Sequence, residues 1–135
     1  MPVVMTATQN QFFMNDTNDF DITDLDETAI DITWNGPARV LLEGNQFTLS
    51  GQTAGESQTA IELDFDSPTD LLELEVVGNQ IDNTVQPGAF GIDMNTAGPS
   101  TSLFQGNQFI FQGLESTGMR FNLGPETNMD LINNA

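Results

Sequence analysis

Carboxylates are the only plentiful reactive groups in this chain. Its 135 residues include 20 Asp and Glu against two basic residues, Arg39 and Arg120, with no Lys, no His and no Cys. Carboxylates in such numbers support two kinds of chemistry. A facing pair can act as acid and base across a glycosidic bond. A cluster can hold Ca²⁺, which takes roughly six to eight oxygens from carboxylates, amides and carbonyls. The missing residue types exclude other chemistry: there is no nucleophile–His arrangement, no metal-thiolate site and no phosphate-binding glycine loop.

The densest acidic run is Asn15-Asp16-Thr17-Asn18-Asp19-Phe20-Asp21-Ile22-Thr23-Asp24-Leu25-Asp26-Glu27. Asp16, Asp19, Asp21, Asp24 and Asp26 are the candidate calcium ligands. The run lacks the central Gly and the terminal Glu spacing of an EF-hand loop. The Gly-Gly-x-Gly-x-Asp calcium repeat is absent too, so a solvated acidic loop is the plainer expectation. A net charge of −18 argues against nucleic acid and anionic membrane surfaces as partners, because both are bound by neutralising phosphate with Lys and Arg. Salt shortens the reach of self-repulsion, from about 8 Å at physiological strength to about 3 Å at 1 M. A saline or calcium-containing exterior, at a cell surface or beyond it, is therefore the expected setting. No run of about 18 apolar residues is present, so membrane insertion by a helix is not expected. Met1-Pro2-Val3-Val4-Met5 lacks the charged start of a signal peptide. That start suits an intracellular chain, or a mature or excised piece of a longer one.

These groups must be positioned by something, and an internal repeat supplies it. Asn-Gln recurs at Asn10-Gln11, Asn45-Gln46, Asn79-Gln80 and Asn107-Gln108, the last three preceded by Gly44, Gly78 and Gly106. With Asn134 as a degenerate fifth copy, the spacings are 35, 34, 28 and 27 residues. An apolar residue sits two after the Asn (Phe12, Phe47, Ile81, Phe109), and another generally three before it (Ala7, Leu42, Val76, Phe104, Leu131). Alternation on both sides predicts two short strands joined at a bend. Gly and Asn at that bend tolerate left-handed backbone. Between the Asn marks run Ile30-Ile32-Trp34, Ile61-Leu63-Phe65, Phe90-Ile92-Met94 and Met119-Phe121-Leu123, each followed by a proline at Pro37, Pro68, Pro99 or Pro125. One repeat is thus a strand, a Gly-Asn bend, a strand, a loop, a third strand and a Pro-containing turn.

This pattern resembles the right-handed parallel β-helix repeat family of pectate lyases, phage tailspikes and large bacterial surface proteins, over residues 5–134. The resemblance implies an all-β, single-stranded parallel β-helix (β-solenoid) of about four coils, with three short strands per coil and an asparagine ladder at the bend. Asn10, Asn45, Asn79, Asn107 and Asn134 are the expected ladder. The expected organisation is one domain, 1–135, with coils at about 5–39, 40–73, 74–101 and 102–128 and a partial coil at 129–135. Like residues should stack on like, so Phe12, Phe47, Ile81 and Phe109 should form one core file. Trp34 is expected in the core or as a loop lid.

In the family the active site lies on an outer face. Here the residues between core positions form an exposed acidic face, Asp31, Glu62, Asp64 and Asp93, with Asp64 and Asp93 expected side by side across coils and Arg120 as partner for Asp93 or Glu62. The family's hydrolases use a His motif and its lyases use Arg and Lys on an anionic polymer; this chain lacks the first and nearly lacks the second. The expectation is a non-catalytic structural module of a microbial surface protein, adhesin or extracellular filament. It would associate end to end with itself, or with neighbouring solenoid segments, through uncapped coil ends. The alternatives are a glycan-binding or glycan-cleaving module using the acidic face, and a virion or tail-fibre component.

Overall fold

A computed structural model describes residues 1–16, 26–51, 57–83, 88–112 and 116–135. Strands β1 (Val3–Thr8), β2 (Gln11–Asp16) and β3 (Asp26–Trp34) make the first coil. Strands β4 (Ala38–Glu43), β5 (Gln46–Gly51) and β6 (Ser57–Phe65) make the second. Strands β7 (Leu72–Val77), β8 (Gln80–Asn83) and β9 (Phe90–Thr96) make the third. Strands β10 (Ser100–Gln105), β11 (Gln108–Phe111) and β12 (Thr117–Asn122) make the fourth, and β13 (Thr127–Ile132) opens a fifth. Every strand pairs in parallel with its equivalent one coil away. The first sheet runs β1-β4-β7-β10-β13, the second β2-β5-β8-β11 and the third β3-β6-β9-β12. The chain is the expected all-β parallel solenoid.

Alternation explains the core. Strands β4 and β7 bury every second residue, and Val40, Leu42, Leu74 and Val76 are at most 1 % exposed. Ala7, Leu42, Val76, Phe104 and Leu131 stack in one register. So do Phe12, Phe47, Ile81 and Phe109, and the Phe12 and Phe47 rings lie parallel with centroids 4.9 Å apart. No coil encloses its own apolar face, so each is buried by the coils above and below. Trp34 is half-buried against the core.

Two expectations need correction. The third-coil triplet is not Phe90-Ile92-Met94. Ile92 stacks between Ile61 and Met119, and Met94 between Leu63 and Phe121, while Phe90 lies beside Thr59 and Thr117. The physical reason is a file of small residues one position before the first core apolar: Ala29, Ala60, Gly91 and Gly118. A Cβ on Gly91 would sit 2.5 Å from the Gly118 carbonyl oxygen and 2.6 Å from the Phe109 ring, so this corner must stay small. The proline register also fails in part. Pro37 and Pro99 occupy equivalent turn positions, but that position in the second coil is held by Leu71, not Pro68. The turn 66–71 is longer than its neighbours and folds on itself: the Ser67 hydroxyl donates to Asp70 (2.7 Å) and accepts from the Asp70 N–H (3.2 Å).

Candidate functional site: the asparagine ladder, the charged face and the coil ends

Each bend begins with a left-handed residue. The five φ values are 55° at Gln9, 65° at Gly44, 63° at Gly78, 64° at Gly106 and 52° at Asn133. This conformation turns the following Asn inward. Asn45, Asn79 and Asn107 are at most 1 % exposed. Each Nδ2 donates to the Oδ1 of the next Asn: Asn10 to Asn45 at 3.1 Å, Asn45 to Asn79 at 3.0 Å, Asn79 to Asn107 at 3.0 Å and Asn107 to Asn134 at 2.9 Å. The same Oδ1 accepts the backbone N–H of the preceding Asn, at 3.0–3.1 Å. The second Nδ2 hydrogen goes to a carbonyl of the previous coil: Asn45 to Ala7, Asn79 to Leu42, Asn107 to Val76 and Asn134 to Phe104. A buried amide with its donors and acceptor paired carries no desolvation debt.

The ladder is directional. At the first coil the Asn10 Oδ1 meets no donor among the described residues, and at the last the Asn134 N–H meets no acceptor. One end therefore offers an acceptor and the other a donor. The core is open at the same places. Leu131 is 54 % exposed, although Leu42, Val76 and Phe104 in its file are buried. Met5, Ala7 and Phe12 at the other end are only partly covered.

The acidic face differs from expectation. Asp93 was expected on the exposed face and is instead buried, with its side chain 6 % exposed. It lies opposite Glu62 and Arg120, while Asp64 lies opposite Asn95, whose Nδ2 donates to it at 2.7 Å. The expected Asp64–Asp93 neighbours are therefore absent, because the third-coil register is shifted by two residues. Arg120 pairs with Asp93 through two of its three guanidinium nitrogens, Nε to Oδ1 at 3.0 Å and Nη2 to Oδ2, and its guanidinium lies 4.3 Å from the Phe90 ring centroid. The hydrogen bond to Asp93 raises the Arg120 pKa above its ordinary value; burial opposes this, and the charges of Asp93 and Glu62 add to it. Asp31 is exposed and accepts from the Thr33 hydroxyl (3.3 Å), and Glu62 is half-buried and accepts from Thr28 (3.1 Å). This face holds one ion pair, Asp93 with Arg120, and Asp31, Glu62 and Asp64 each accept a hydrogen bond from a neighbouring Thr or Asn.

Of the expected calcium ligands, Asp19, Asp21 and Asp24 lie outside the described residues. Asp16 ends β2 and Asp26 begins β3. Among the described residues, no group of three acidic side chains is placed to hold a metal ion. Two shallow grooves, of about 320 and 330 Å³, lie on the outer face of the first sheet and share Glu73 and Glu75.

Two features escaped the sequence. The register of β9 was missed, although the small residue before Ile30, Ile61, Ile92 and Met119 is a usable signal. The Gln of the repeat was also passed over: Gln11, Gln46, Gln80 and Gln108 stack outside the ladder, and Gln11 Nε2 donates to Gln46 at 3.2 Å. No family model, no curated protein and no solved structure matches this chain.

Proposed function

We propose that this chain is a non-catalytic structural β-solenoid module of the right-handed parallel β-helix type, from a microbial surface protein, adhesin or extracellular filament. It extends by coil-on-coil stacking through its open ends, onto a second copy or a neighbouring solenoid segment. The observation that supports this is the polarity of the ladder: an acceptor, Asn10 Oδ1, at one end and a donor, the Asn134 N–H, at the other. An incoming β1 edge set beneath β13 would continue the first sheet and the ladder together. Since the first sheet is one strand longer than the other two, the incoming segment must also fill a step there. Uncovered strand edges recruit such partners unless they are blocked.

The test is negative-stain microscopy and sedimentation across concentration, with and without Ca²⁺. End-to-end rods that shorten on Leu131→Asp are the expected result. A chain that stays monomeric at high concentration sinks the stacking proposal. The glycan alternative has lost its facing pair, Asp64 and Asp93; depolymerisation of a polysaccharide by the purified chain would restore it.

A further inference from the structure

The three outer faces of the solenoid are unequal in charge. The first sheet carries Glu43, Glu73, Glu75 and Asp130 against Arg39 on its outer side, and the third carries Asp31, Glu62, Asp64 and Asp93 against Arg120. The second sheet differs. One outward column is Gln11, Gln46, Gln80 and Gln108, and the next is Phe13, Thr48, Asp82 and Ile110. Asp82 is the one carboxylate in these columns, and its Oδ2 accepts a hydrogen bond from Gln80 Nε2 at 2.9 Å. Its Oδ1 is shielded from solvent and has no hydrogen-bond partner among the described residues. Phe13 is 73 % exposed and Ile110 is 40 % exposed. In a chain with net charge −18, an uncharged amide row flanked by bare apolar side chains is the face where like-charged copies can approach.

We infer that the second sheet's outer face is a self-association surface whose partner is a second copy of this chain, packed sheet to sheet with its solenoid axis reversed. A two-fold axis along the strand direction keeps each column facing its own counterpart and inverts the coil order. The contact is then isologous. Phe13 meets Ile110, Gln46 meets Gln80, and Thr48 lies opposite Asp82. Glutamine amides stacked at the coil spacing of about 4.8 Å can also pair across such a seam, as stacked amide rows do between cross-β sheets. Four strands and two columns cover only roughly 250 Å² per copy, against about 800 Å² in a standard interface. The dimer is therefore weak, populated at high concentration, and favoured by salt, which screens the charge on the other faces.

The chain has no Cys, so a designed disulfide tests the geometry cleanly. Within one copy, positions 13 and 110 lie three coils apart, about 14 Å, beyond the roughly 7 Å that a disulfide can bridge. The double variant Phe13→Cys, Ile110→Cys should give a covalent dimer under mild oxidation, faster in high salt. Phe13→Cys alone should link far more slowly. Phe13→Asp and, separately, Gln46→Glu should abolish the salt-promoted dimer in sedimentation while circular dichroism stays unchanged; Glu73→Gln on the first sheet should not. Linking of the single variant as fast as the double one, or a dimer indifferent to Phe13→Asp, overturns the proposal. So does a monomer at all concentrations and salts. The lateral dimer is closed and end stacking is open-ended, so loss of either leaves the other measurable.

Discussion

A single amide decides how tightly each bend is held. Asn79 donates to Leu42 and Asn107 and accepts twice from Asn45. Asn79→Ala leaves those buried groups unpaired, at about 1–3 kcal/mol for an unsatisfied group. We expect a loss of roughly 2–4 kcal/mol on that basis, read as a drop in the urea midpoint. The left-handed residue before each Asn makes the opposite prediction at two sites. Gly78→Val should destabilise, since left-handed backbone costs an L-residue about 1–2 kcal/mol. Gln9→Gly should raise the midpoint, because Gln9 carries that strain now (φ 55°). Arg120 makes a pH prediction. Its pKa is raised by Asp93, so with Asp93 ionised its contribution is present below the unfolded value and is lost as pH climbs through the folded one. Arg120→Lys, with a reference value of about 10.4, should fold at neutral pH and lose stability in alkaline solution above about pH 10. Thermal melts across pH give the answer.

At the scale of the strand, small residues set register as firmly as large ones. The file Ala29, Ala60, Gly91, Gly118 places the following apolar residue in the core, and the Phe109 ring occupies the space beside Gly91. Gly91→Ala collides with a backbone carbonyl as well as a ring. We expect about 1–3 kcal/mol of overpacking cost, with near-ultraviolet dichroism of Phe109 and its neighbours perturbed. Parallel register is specified wherever one face is buried, since slippage by one residue exposes the apolar set. A shift of two residues keeps the in–out parity and is caught only by side-chain size. That is why alternation alone misassigned Phe90 and Asp93.

For the molecule as a whole, charge and stacking act against each other. The net charge of −18 weakens the compact state by self-repulsion, while each coil depends on its neighbours for burial. Raising NaCl from about 0.1 M to 1 M shortens the screening length from about 10 Å to 3 Å. The urea midpoint should rise with it. Leu131→Asp should leave that midpoint nearly unchanged, because Leu131 is already 54 % exposed, yet should suppress end-to-end assembly.

The parallel solenoid, the five ladder asparagines and the Phe12, Phe47, Ile81, Phe109 file were legible in the amino-acid sequence. Each follows from a residue type recurring at a coil's length: a conformation only certain residues tolerate, or an apolar position fixed relative to it. The burial of Asp93, the choice of Asp93 over Glu62 as the partner of Arg120, the isolation of Asp64 from Asp93 and the displaced turn at Leu71 were decided by tertiary structure. Those depend on how adjacent coils of unequal length settle against one another, where a glycine's missing side chain or a longer turn outweighs the strand period. The Asn-Gln signature was visible from the start. Only the stacked coils turn its Asn inward to hold the core and its Gln outward onto the least charged face.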